Sequence, residues 1–268
     1  MIRRKISVLG LLWVVLLALT GCGQASSLSS ETLKVGATPL PHAELLNFVK
    51  PLLEAEGIEL EIIEFTDYVT PNLALRDGEI HANFFQHLPY MESFAEEHGL
   101  ELVSLASIHV EPLGLYSKKH LKLEDIPSGA TIAIPNDPTN EGRALLLLEA
   151  NGLIGLSGEE GLRATTKSIV KNPLNLVFKP IDAAQLPRTL NDVDASVINT
   201  NYALEASLNP LNDALLLENA ESPYANIITV TQEGVDNPQV LKLIEVLQSQ
   251  EVKDFIEKEY QGAVVPAF

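Results

Sequence analysis

Four short stretches of this chain concentrate side chains that could hold a small polar molecule. NFFQHLPY (residues 83–90) brings Phe84, Phe85, His87 and Tyr90 together in a chain that is only 6% aromatic. It follows an extended segment and reaches Pro89, a residue suited to the first turn of a helix. Strand ends of open α/β sheets are where ligands usually sit, but clustered rings also serve as core filling, and the segment alone leaves both readings open. IPNDPTNEGR (residues 134–143) leaves a strand, turns at Asn136-Asp137-Pro138 and enters a helix that Asp137 or Thr139 can cap. A helix start offers free N–H groups to an anion. Arg143 can grip a carboxylate through two parallel hydrogen bonds, or pair with Glu141 or another of the chain's acids. VINTNYA (197–203) and SPYANI (222–227) set asparagines at polar turns beside apolar strands. Their amides present donors and acceptors together, as a zwitterionic head group requires, though asparagine also caps turns.

Catalytic chemistry has little support. The sequence holds no GxSxG, Walker A or HExxH pattern, and no GxGxxG after a strand. His42, His81, His87, His98, His109 and His120 form no i, i+4 helical pair. His81 and His87 are near each other, but a zinc site wants three or four ligands and no stretch supplies them. No metal and no cofactor are expected. An exported enzyme using His87 as a base would need a partner nucleophile, and none stands out.

These residues must be positioned by alternating strands and helices. Residues 33–37, 59–65, 80–84 and 102–108 read as extended segments, and 42–56, 72–76 and 89–98 as helices, with Gly57 and Gly99 closing two of them. After Pro112 the pattern restarts. Residues 113–116, 131–134, 176–178, 195–198 and 227–231 are expected as strands. Residues 140–151, 184–190, 240–248 and 252–260 are expected as helices. The Leu145–Leu148 run is apolar all round and should be buried. Strands alternating with helices imply an α/β fold with mostly parallel sheets, and the restart implies two lobes. Whether the last strand and helices return to the first lobe is not decided by periodicity.

The first residues are a processing segment. Arg3, Arg4 and Lys5 precede an apolar run over residues 6–19, shorter than the roughly 18–20 residues a membrane span needs. Leu19-Thr20-Gly21-Cys22 then matches a bacterial lipobox, whose cysteine is acylated and becomes the mature N-terminus. Cys22 is the only cysteine, so no internal disulfide is possible. A Ser-rich tether follows to about residue 31. The 36 acidic against 18 basic residues give a net charge of −18, which argues against a nucleic-acid partner.

Together the four stretches resemble the methionine-binding lipoprotein family of NlpA type, the substrate-binding components of methionine ABC importers. The resemblance runs from KVGATPLPHAELL at Lys34 through EFTDYVTPN (64–72), YSKKH (116–120), NPLNL (172–176) and QLPRTL (185–190) to GAVVPAF at the C-terminus. It implies a two-lobed periplasmic-binding-protein fold of type 2-like α/β architecture, with the ligand between the lobes. It implies a leader at 1–21, a lipidated tether at 22–31, one lobe from 32–112 plus 226–268, and a second from 113–225. Carried over residue by residue, it puts Tyr68, Phe85, His87 and Tyr90 around the ligand side chain. Arg143 is matched to its carboxylate, and Asn199 and Asn226 to its amino and carboxylate groups. Phe84 and Asn201 occupy less constant positions and are set aside. The implied partners are methionine, more readily L- than D-, a permease with its ATPase subunit, and the membrane, reached by the acylated Cys22 on the extracytoplasmic face. A related amino acid or short peptide as ligand, or a surface-adhesion role, are the alternatives. Arg143→Ala is expected to weaken ligand binding and spare the fold.

Overall fold

The computed structural model describes residues 32–219 and 223–268. The leader, Cys22 and the tether lie outside the described residues.

The chain begins with β1 (Leu33–Ala37), α1 (Glu44–Ala55), β2 (Leu60–Glu64), α2 (Thr70–Arg76), β3 (Ala82–His87), α3 (Leu88–His98) and β4 (Leu102–Val110). It then crosses to a second body: β5 (Gly114–Tyr116), β6 (Thr131–Pro135), α4 (Pro138–Ala150), β7 (Gly155–Leu156), β8 (Ile169–Lys171), β9 (Val177–Ile181), α5 (Leu186–Thr189), β10 (Ala195–Ile198), α6 (Thr200–Glu205), α7 (Pro210–Asp213) and β11 (Ala214–Leu217). It returns through β12 (Ala225–Thr231), α8 (Pro238–Leu247), α9 (Gln250–Tyr260) and β13 (Val265–Pro266).

Two large sheets result, in the orders β13-β4-β12-β3-β1-β2 and β11-β5-β10-β6-β9, and β7 and β8 pair as a small third sheet. Strand β12 lies between β3 and β4, so the last part of the chain does complete the first sheet. The expectation of mostly parallel sheets is corrected: β1 runs parallel to β2 and β3, and β6 to β9 and β10, but β12, β13, β5 and β11 pair antiparallel. Most of the antiparallel pairs involve the strands that flank the two passages between the sheets, β4, β5, β11 and β12, whereas β13 follows α9 within the first body. Each large sheet has its own apolar core. Leu33, Val35, Leu45, Leu46, Phe84 and Ile228 anchor the first, and Ile132, Ile134, Leu145, Leu148 and Val197 the second.

Local chemistry explains the element ends that matter for the site. His87 is the N-cap of α3, with Pro89 in the first turn, and its Nδ1 accepts from the Tyr90 N–H at 3.2 Å. Asp137 caps α4, its carboxylate accepting from Asn140 N at 2.9 Å, with Pro138 at the start; this fits the preference for acidic caps and N1 proline. Gly99 ends α3 in the left-handed region at φ 63°, a conformation glycine adopts without a Cβ clash.

Candidate functional site

All seven residues singled out for ligand contact line one cavity between the two bodies. Tyr68, Phe85, His87 and Tyr90 come from the first body, Arg143 and Asn199 from the second, and Asn226 from the start of β12, the strand that returns to the first sheet. Gln86, Glu111, Asn140, Thr200 and Asn201 complete the wall. Phe84 does not reach it: it packs into the first core, edge-on to His42 at 4.7 Å. Adjacent strand residues face opposite sides, so neighbouring phenylalanines divide between core and cleft.

The ring wall is built on β3, which carries Phe85, on α3, which carries Tyr90, and on the loop before α2, which carries Tyr68. Tyr68 lies 5.9 Å from Phe85 and 5.8 Å from Tyr90, ring centre to ring centre. The Tyr90 hydroxyl donates to the Tyr68 carbonyl at 2.9 Å, which fixes both rings. Behind them Asn72, Asn83 and Gln86 form a buried amide network that also reaches Thr229. Such satisfied networks hold one arrangement of the surrounding elements.

His87 is committed on both sides. Because Nδ1 accepts from a backbone N–H, the proton sits on Nε2, which donates to Asn140 Oδ1 at 3.3 Å across the cleft. Burial, reinforced by the nearby Arg143 charge, lowers its pKa to about 3, so the ring is neutral and already bonded. That geometry suits a wall residue rather than a proton-abstracting base.

Arg143 is 4% exposed. Its Nε lies 3.1 Å and its Nη2 2.5 Å from Glu218 carboxylate oxygens, and Nη2 also donates to the Glu111 carbonyl at 2.8 Å. The Tyr224 ring stacks 4.2 Å from the guanidinium carbon. The bidentate partner is therefore Glu218, while Glu141 accepts from Thr166 N instead. The Nη1 end is the part of the guanidinium these contacts do not use. With Glu218 beside it the arginine does not leave a net positive hole, and a ligand carrying both charges matches better than a bare anion.

Asn199 stands at the N-cap of α6, yet its side chain makes no capping bond. It turns inward: Nδ2 donates to Asn140 Oδ1 at 3.0 Å, and Oδ1 is buried with no partner. Its neighbour Asn201 accepts the Tyr68 hydroxyl on Oδ1 at 2.6 Å and donates its backbone N–H to Glu111 Oε2 at 3.0 Å, while Nδ2 is buried and unpartnered. Native proteins leave few such groups.

The floor of the cleft is a hydrogen-bonded cluster that no sequence spacing indicated. His42 Nε2 lies 3.2 Å from Glu111 Oε1 and 3.1 Å from Asn226 Oδ1, and His109 Nε2 lies 2.7 Å from Glu111 Oε1. Thr38 Oγ1 lies 2.7 Å from His42 Nδ1. Among the described residues these two histidines and Glu111 are close enough to share an ion, but hydrogen bonds account for each contact. Burial lowers His42 to about 4 and His109 to about 3, and raises Glu111.

Glu111 and Asn140 are wall residues that the sequence did not single out, and Asn201, which was set aside, lines the cavity as well. Asn140 and Asn201 sat inside motifs already selected; Glu111 lies in a crossover with no motif to mark it.

Residues 33–268 match the NlpA lipoprotein family model. The chain belongs to the NlpA lipoprotein family. The methionine-binding lipoprotein MetQ of Bacillus subtilis is 41% identical over 98% of both chains. A nutrient-binding protein of Burkholderia cenocepacia, solved bound to methionine, is 48% identical with a TM-score of 0.85, over 88% of this chain and all of that one. An ABC-transporter periplasmic substrate-binding protein of Coxiella burnetii superposes with a TM-score of 0.84 at 43% identity, over the same shares. This NlpA-family chain has the two-lobed periplasmic-binding-protein fold of those neighbours.

Proposed function

We propose that this chain is the extracytoplasmic receptor of an ABC importer, that it captures methionine in the cleft, and that it performs no reaction on it. The observation that carries the reading is the meeting, in one buried cavity, of a three-ring wall with Arg143 and the unpartnered Asn199 Oδ1. An orphan acceptor asks for a donor, and the α-ammonium supplies one. Arg143 and the Asn226 amide face the carboxylate. Tyr68, Phe85 and Tyr90 enclose the thioether, which gains about 0.3–1.5 kcal/mol at an aromatic edge. His87 closes the wall as a neutral ring.

The remaining parts of the reading follow from this one. The lobes span 32–112 plus 226–268 and 113–225, so that the crossovers near Glu111 and Asn226 form the hinge. Cys22 is acylated and holds the body at the cell membrane, where the closed form meets the permease and its ATPase subunit. The test is native mass spectrometry of the mature protein followed by calorimetry against L- and D-methionine and the other amino acids. Methionine retained, or bound at micromolar Kd or tighter and above its competitors, supports the reading. Binding of another amino acid in preference would overturn the choice of ligand.

A further inference from the structure

The asparagine beside the proposed ligand contacts occupies a position from which it meets three things at once. Asn201 is 2% exposed and lines the cavity. Its Oδ1 takes the hydroxyl of Tyr68 from the opposite lobe at 2.6 Å. Its backbone N–H goes to Glu111 Oε2 in the hinge at 3.0 Å. Its Nδ2 is buried with no partner. An amide whose oxygen is committed to a hydroxyl must turn its NH₂ the other way, and a buried donor left unpaired is destabilising.

We infer that Asn201 is a ligand-contacting residue that couples capture to closure: Nδ2 donates to the ligand carboxylate while Oδ1 holds Tyr68 of the facing lobe. The inference rests on the amino-acid reading above and adds a residue and a role to it. The carboxylate follows by elimination. In a free methionine the ammonium can only donate, and the thioether is a weak acceptor, so carboxylate oxygens are the strong acceptors available. One amide then serves both events. Closing the lobes brings Tyr68 to Oδ1, which fixes the amide plane and aims Nδ2; a ligand oxygen on Nδ2 in turn satisfies the donor that closure buries. The cross-cleft bonds from His87 to Asn140 and from Tyr202 to the Thr66 carbonyl join the same two faces but leave no unpartnered donor beside the ligand.

The test uses the mature protein and two variants. Asn201→Asp keeps an acceptor for Tyr68 and the backbone bond to Glu111 but removes the donor. Tyr68→Phe/Asn201→Leu removes the hydroxyl and the amide together, leaving no new unpaired group. Calorimetry with the amino acid that the wild type binds best should show Kd weakened about 10–100-fold in Asn201→Asp, the range for a hydrogen bond to a charged group. The double variant should weaken binding at least as much, while its ligand-free melting temperature stays at or above the wild-type value because the orphan donor is gone. An amide with a merely structural role predicts the reverse, a lower melting temperature with Kd unchanged. Wild-type affinity in Asn201→Asp overturns the inference and leaves the receptor reading standing. A wild-type protein that binds none of the twenty amino acids removes both.

Discussion

Replacing Arg143 by alanine should damage the protein in two separable ways, and the structure revises the expectation that the fold is spared. The guanidinium is buried, fork-bonded to Glu218, and bonded to the Glu111 carbonyl in the segment between β4 and β5. Alanine leaves Glu218 without its cation. Breaking a buried ion pair from one side typically costs 3–5 kcal/mol. The Glu218 side chain keeps 16% of its exposure, so hydration relieves part of that, and the estimate settles near the low end, about 3 kcal/mol. For a protein of this size such a loss lowers the melting temperature by roughly 6–12 °C. The second effect is on the ligand, which loses its cationic partner and should bind at least ~100-fold more weakly. Arg143→Met/Glu218→Met distinguishes them: with both charges gone and apolar bulk in place, most of the stability should return while binding stays weak. Differential scanning calorimetry without ligand and isothermal titration with methionine read the two quantities. If Arg143→Ala melts within about a degree of the wild type, the buried-pair argument is wrong. If the double variant binds at wild-type affinity, Arg143 does not meet the ligand.

Acid should destabilise the protein through its buried histidines. Burial lowers His42 to about 4, and His109 and His87 to about 3, from an ordinary value of 6.5. Their folded pKa values lie below the unfolded one, so the unfolded chain binds more protons in between; stability is full above about 6.5 and falls as pH drops towards 3–4. By pH 5 each histidine withdraws about 2 kcal/mol relative to neutral pH, partly offset by Glu111, whose raised pKa acts with the opposite sign. A urea midpoint that is flat between pH 7 and 5 would contradict this. Gly142→Ala should cost about 1–3 kcal/mol by overpacking, because a Cβ there meets the Leu162 carbonyl oxygen beneath the helix that carries Arg143; an unchanged melting temperature would show that the 161–164 loop yields freely. Cys22→Ala should release the protein from membranes in cell fractionation, and continued membrane attachment would remove the lipobox reading.

Most elements were legible because periodicity and end signals agreed. Residues 33–37 are extended with four of five buried, and Gly57, Gly99 and Gly152 stand in the left-handed region just past helices. Asp137 and Pro138 marked the start of α4 correctly. The sequence missed β7, β8, β11 and β13, which are two to four residues long, too short for alternation to register. Strand direction failed for a different reason. Whether a strand is parallel depends on which end of a sheet the chain re-enters, and the route through the crossovers leaves no local trace. The site divided in the same way. Aromatic and asparagine motifs flagged residues on element ends, while Glu111 and His42 matter through partners far along the chain: His42 meets Asn226 from 184 positions away.

That long-range assembly ties recognition to closure in the proposed receptor. The first sheet and its helices contribute the rings, His87 and, from β12, Asn226; the second contributes Arg143, Asn140, Asn199 and Asn201; and Glu111 comes from the segment that follows β4. Neither lobe alone encloses the cavity. Glu111 accepts from His42 and His109 on one side and from the Asn201 backbone on the other, so a single carboxylate joins the two bodies where the chain first crosses between them. Its charge is buried, which is costly unless hydrogen bonds compensate, and the donors that compensate it come from both lobes. Opening the cleft must stretch or exchange some of these bonds for water. A ligand that places its ammonium on Asn199 and its carboxylate between Arg143 and the hinge amides adds bonds that exist only in the closed form. By linkage, whatever binds the closed form alone shifts the population towards it. The cavity wall carries one guanidinium, the Glu111 carboxyl group and a set of amides, so a chain of net charge −18 still offers a lining matched to a molecule of zero net charge.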